Sequence, residues 1–198
     1  VQLTTGNSEI IIALSSGRAI RFNETQVRPM GRNAAGVRAV TLAGPDDKVV
    51  GMVCVESNET ELLVVSENGY GKRSILDEYR ITNRGGKGVK TISITAKTGN
   101  LVAIKNITDL DDLMIINKSG IAIRMEAANL RVMGRATQGV RLINLKGNDS
   151  IAAVAKVLHN EEEIVEELED NMENTDENPH GTINEDGTTI ANDTDEQE

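Results

Sequence analysis

The chain has 198 residues, a formal net charge of −10, one cysteine, two histidines and 2% aromatic residues. That composition excludes an internal disulfide framework, a four-ligand zinc site built from Cys and His, and an aromatic platform for stacking single-stranded bases. The charge is divided unevenly: residues 161–198 carry 16 acids and no Lys or Arg, while the other 160 carry 15 acids and 21 bases, a sum of +6. A basic body with a polyanionic tail points toward nucleic acid or an anionic surface.

In chain order, Val1-Gln2-Leu3 reads as the last strand of a preceding unit, and the missing initiator Met suggests a fragment or a processed chain. No apolar stretch approaches 18 residues, so no membrane-spanning helix is expected. Ile10 to Leu14 is a buried-strand run, Ser16-Gly17 a tight turn, and Ala19 to Phe22 the return strand. A second strand pair follows over 37–42 and 49–55. The plan recurs as 62–65, Asn68-Gly69, Lys72-Arg73, 89–95 and 101–104. It recurs again as 113–116, Ser119-Gly120, 121–125, 140–145 and 151–157. Gly17, Gly69 and Gly120 are spaced 52 and 51 residues apart, and so are Gly36, Gly88 and Gly139. A period near fifty is that of a propeller-type blade, so the expected fold is all-β, with repeats over about 9–56, 60–105 and 111–157 within a domain 1–159.

Four basic registers share this period: Arg21, Arg73, Arg124; Arg28, Arg80, Arg131; Arg32, Arg84, Arg135; and Arg38, Lys90, Arg141. Equivalent positions of successive blades lie on equivalent surfaces, so the twelve are expected to form bands on a curved rim suited to a bent polyanion such as duplex DNA. Acidic residues are read as out of step with these registers, so ion pairing is not expected to consume them. Lys87, within the glycine-rich Asn83 to Gly88 loop, joins the candidate DNA contacts; such loops expose backbone N–H groups to phosphate oxygens. Val27, Tyr79 and Leu130, each preceding the second register, read as core.

The segment Val27 to Arg38, with Gly31-Arg32-Asn33-Ala34-Ala35-Gly36, resembles the C-terminal domain family of the gyrase A protein. So do Glu67 to Arg73 and Val132 to Val140, three motifs in order over a likeness that covers residues 1–159. The resemblance implies a β-pinwheel, a propeller-like disc whose blades exchange strands, here about three blades of a disc of six. It implies a non-catalytic module that wraps duplex DNA around a basic rim in support of ATP-dependent negative supercoiling by DNA gyrase. The implied partners are the remainder of gyrase A and the whole of gyrase B, in the bacterial cytoplasm by the nucleoid and away from membranes. ATP and Mg belong to the holoenzyme, and no cofactor is expected in these residues. The family's Gln-Arg-Arg-Gly-Gly-Lys-Gly box belongs to its first blade; Asn83 to Gly88 resembles its core, without the Gln and first Arg, as a degenerate copy. The alternatives are a protein-interaction propeller and the corresponding domain of the homologous topoisomerase IV protein.

No catalytic arrangement emerges. Gly86-Lys87-Gly88 and Gly71-Lys72-Arg73 lack the Ser or Thr of a P-loop. Tyr70 and Tyr79 carry no cleavage role, and the pairs Asp46-Asp47 and Asp111-Asp112 read as solvated turns. In the tail, 161–172 has the spacing of a short amphipathic helix and the rest has a disordered composition. Its charge suggests contact with the basic rim.

Overall fold

The computed structural model describes residues 1–56 and 61–157. The tail beyond residue 160, with the helix and the disorder expected of it, lies outside these residues. Eleven strands are described: β1 (Glu9–Leu14), β2 (Arg18–Asn23), β3 (Val49–Val55), β4 (Glu61–Ser66), β5 (Tyr70–Ile75), β6 (Val89–Lys90), β7 (Leu101–Ile107), β8 (Asp112–Asn117), β9 (Ala122–Glu126), β10 (Val140–Arg141) and β11 (Ile151–Val157). A short 3-10 turn follows each hairpin, over Glu24–Gln26, Leu76–Glu78 and Ala127–Asn129.

Each unit opens with an antiparallel hairpin whose turn holds a glycine at positive φ, Gly17, Gly69 or Gly120. The third long strand of the unit returns to the other side of the first, giving β3-β1-β2, β7-β4-β5 and β11-β8-β9. The fourth strand comes from the next unit: Val89–Lys90 pairs with Arg18 and Ala19, and Val140–Arg141 pairs with Tyr70 and Gly71. The third sheet has three strands among the described residues. Gly88 and Gly139 permit the exchange. At either, a Cβ would stand 2.4 Å from a carbonyl oxygen of the preceding unit, Ala19 or Gly71, and both have positive φ.

The core lies in the seams. Ile11, Ala13, Val53 and Val55 of the first sheet pack with Leu62, Val64, Tyr79 and Ile104 of the second unit. Leu63, Val65 and Ile107 pack with Leu113, Ile115, Leu130 and Val154 of the third. Alternate residues of β4 thus face opposite neighbours, which accounts for the unbroken apolar run Leu62 to Val65.

Several expected strands are absent or short. Residues 1–3 and 37–42 form no strand, and the strands expected over 89–95 and 140–145 stop after two residues. The reason is visible at the hairpin tips. Thr91 and Ile92 N–H both donate to the Gly17 carbonyl, and Leu142 and Ile143 N–H to that of Gly69. The chain crosses the neighbour's turn, and its alternating apolar residues cap that turn instead of extending a ladder. The segment after Val37 instead meets the second unit's glycine-rich loop, with Thr41 N–H donating to the Gly86 carbonyl at 2.9 Å.

The paired aspartates are not all solvated turns. Asp111 and Asp112 are buried; Asp111 accepts from Thr108 and from the Lys156 ammonium at 2.9 Å, and Asp112 pairs with Arg124. Asp47 accepts from Ser15, Ser16 and Ala43, and these bonds hold its pKa low despite the burial that opposes them.

Candidate nucleic-acid interface

The first basic register does not join a rim. Arg21 and Arg73 are 6% and 7% exposed. A buried guanidinium is tolerated when it is paired with a carboxylate and hydrogen-bonded, and both are. Arg21 pairs with Glu9 and donates to the Leu76 and Tyr79 carbonyls at 2.9 and 3.0 Å. Arg73 pairs with Glu61 and Asp109 and donates to the Leu130 carbonyl at 2.7 Å. Each side chain therefore ties its hairpin to the 3-10 turn of the following unit. Arg124 keeps the acidic partner, Asp112, but its side chain is 48% exposed. Glu9, Glu61 and Asp112 follow the same 52 and 51 spacing as the arginines they hold, so acids do recur in step with this register.

The other three registers converge at the seams by a repeated hydrogen-bond pattern. The third-register arginine of one unit sits against the 3-10 turn of the unit before. Arg84 N–H donates to Gln26 Oε1 at 2.8 Å and Arg84 Nε to the Gln26 carbonyl at 3.0 Å. Arg135 N–H donates to Glu78 Oε2. The same arginine reaches the carbonyl of the preceding fourth-register residue, Arg84 to Arg38 at 2.9 Å and Arg135 to Lys90 at 2.8 Å. The turn carrying Gln26 or Glu78 leads directly to Arg28 or Arg80. Cations of three registers and two units are thereby drawn together at each seam. Gly85 N–H donates to the Ala39 carbonyl, which fixes the loop bearing Lys87 against the first unit.

Arg28, Arg32, Arg38, Arg80, Lys87, Lys90 and Arg131 are exposed, and their charged groups make no hydrogen bond or ion pair with a described residue. Arg84 and Arg135 are half-buried, and Arg141 is exposed while donating to the Tyr70 hydroxyl at 2.8 Å. Ten cations thus remain once the buried register and Arg124 are set aside. Exposed guanidinium and ammonium groups without carboxylate partners suit phosphate oxygens.

Two cations outside the registers also serve the seams. Arg18 Nη1 donates to the Gly88 carbonyl at 3.0 Å. Lys72 is fully buried, with its ammonium on the Gly134 carbonyl and Ser74 Oγ, and burial pushes its pKa down to about 8. Arg18 and Lys72 do not recur in the other units, so the period gave no signal for them. Among the described residues no group of three or more His, Cys, Asp and Glu is placed to hold a metal ion, and no helix is long and apolar enough to cross a membrane.

The comparisons with known proteins follow the same boundaries. Residues 9–56, 60–108 and 111–157 each match the family described as DNA gyrase C-terminal domain, beta-propeller. The DNA gyrase A protein of Staphylococcus aureus strain NCTC 8325 / PS 47 is 46% identical over 189 residues, covering 95% of this chain and 20% of the relative. Its counterpart in strain MRSA252 is 45% identical over the same length. This chain therefore spans about a fifth of the relatives it matches. A DNA gyrase A C-terminal domain structure superposes with a TM-score of 0.72 at 29% identity, over 78% of this chain and 52% of that one. A DNA topoisomerase IV C-terminal domain superposes with a TM-score of 0.75 at 23% identity, over 88% and 54%, and shares the fold.

Proposed function

The chain belongs to the DNA gyrase C-terminal domain, β-propeller, family, and from that premise we propose that it binds and bends duplex DNA as a wrapping module of gyrase A. The observation that carries this reading is the seam pattern, in which second-, third- and fourth-register cations of adjacent units share one turn and one loop. A periodic cation track holds a backbone without reading bases, so binding is largely independent of sequence. Bending a duplex by 40–90° costs on the order of 1–6 kcal/mol, and several phosphate contacts offset it. The module supplies no reacting group. Its place is beside the cleaving and ATP-hydrolysing parts of a gyrase built with the rest of gyrase A and with gyrase B, in the bacterial cytoplasm. The 46% identity to gyrase A favours gyrase over topoisomerase IV, whose structures are matched at lower identity.

Fluorescence anisotropy with a linear duplex tests the reading. If about six of the ten cations meet phosphates, log K falls against log salt with a slope of roughly −5. Undetectable binding at low salt, or a slope near zero, would contradict it.

A further inference from the structure

A cavity of about 570 Å³ opens at the seam between the second and third units, on the hairpin-tip side, and the repeated cation pattern does not account for it. Tyr70 lies in its wall, with the Lys97 ammonium 5.3 Å and the Arg141 guanidinium 5.5 Å from the ring centre. Arg141 Nε and Nη2 both donate to Tyr70 Oη, at 3.2 and 2.8 Å. A phenol oxygen has two acceptor sites and one proton. With both acceptor sites engaged, the proton is left to be donated, and no described residue accepts it. The Arg141 hydrogen bond also holds this phenol's pKa below its ordinary value.

Arg141 spends a third N–H on Asn144 Oδ1 at 3.4 Å, which leaves two of its five. Lys118, also in the wall, is exposed, and its ammonium has no hydrogen bond or ion pair with a described residue. Two carboxylates share the wall, and both are engaged by the turns that carry them. Asp149 accepts from Ser119 Oγ and Ser150 N–H at 2.7 and 2.8 Å, and Glu67 from Asn100 N–H at 3.4 Å. The first seam has no such arrangement. Arg18 stands at the Tyr70 position there, opposite Lys90 and bonded to the Gly88 carbonyl.

We propose that this cavity is a phosphate site, in which Arg141, Lys97 and Lys118 neutralise the anion and the Tyr70 hydroxyl donates to one of its oxygens. Three cations lining one cavity and a spare hydroxyl proton suit an anion with several oxygens, and the volume admits linked phosphates. The source is a duplex backbone phosphate or a free polyphosphate. Only the duplex source rests on the DNA-wrapping reading.

The chain has two tyrosines, so 3-fluorotyrosine gives two fluorine resonances, which Tyr70→Phe assigns. Pyrophosphate is titrated first and a short linear duplex second, with duplex binding followed in parallel by gel shift. Pyrophosphate is expected to move the Tyr70 resonance saturably and leave that of buried Tyr79 in place. Lys118→Gln, a surface change, is expected to weaken the effect by about threefold to fivefold. A duplex that moves the same resonance assigns the backbone as the source; a duplex that binds without moving it assigns free polyphosphate. If neither anion moves the Tyr70 resonance while the duplex still binds, the phosphate site is overturned and the DNA reading stands. If pyrophosphate moves it and no duplex binds, the site stands and the DNA reading falls.

Discussion

Arg73 and Arg80 lie seven residues apart in one repeat and do different work. Arg73 is buried on Glu61, Asp109 and a neighbouring carbonyl, whereas Arg80 is exposed and has no described partner. Arg73→Met leaves the part-buried Glu61 carboxylate unpaired and the Leu130 carbonyl without its donor, and should cost about 1–3 kcal/mol. Arg80→Ala should change stability by no more than about 0.5 kcal/mol while weakening duplex binding. Urea unfolding and anisotropy on the two variants separate the roles; equal stability would contradict the assignment. Lys72 gives a pH signature. Its folded pKa of about 8 lies below the ordinary 10.5, so between those values the unfolded chain holds the proton and the folded chain releases it. Stability contributed by this group therefore rises with pH from about 8 upward. Relative to Lys72→Met, the native chain should gain on the order of 1–3 kcal/mol between pH 7.5 and 10. A parallel pH dependence in the two proteins would refute this.

At the scale of the element, the exchanged strands decide the architecture, and they are only two residues long. Gly139→Ala drives a Cβ onto the Gly71 carbonyl and should destabilise by more than about 2 kcal/mol. Gly36→Ala occupies open space at the same positive φ and should cost only about 1–2 kcal/mol. Thermal melts of the two variants check the difference. The hairpins were legible because Gly17, Gly69 and Gly120 break apolar runs at a fixed period. The exchange was expected from the family resemblance alone; the residue pattern hid it, since Ile92 and Ile94 alternate as a strand would while capping a neighbour's turn. The cation registers were legible as a period, but the period cannot distinguish a buried clamp from a surface contact. The distinguishing signal was the acid set Glu9, Glu61 and Asp112, in step with Arg21, Arg73 and Arg124 and facing them across each hairpin. The Tyr70 cavity left no trace in the repeat because Tyr70, Lys97 and Lys118 each occur in a single unit.

For the whole molecule, charge is divided between a body of +6 and a C-terminal segment with 16 acids and no bases. A tethered polyanion competes with DNA at high effective concentration. Removing residues 161–198 should therefore tighten duplex binding at low salt, and an unchanged Kd would show the segment to be a bystander. The central claim is that seam cations make a bent track for the duplex. Ligation of a nicked plasmid saturated with the chain, followed by deproteinisation and topoisomer analysis, tests it most directly. A displaced linking-number distribution is expected, reduced toward the protein-free one by the combined Arg28→Ala, Arg80→Ala and Arg131→Ala changes in a chain that still folds. A distribution identical to naked plasmid at saturating occupancy would contradict the claim.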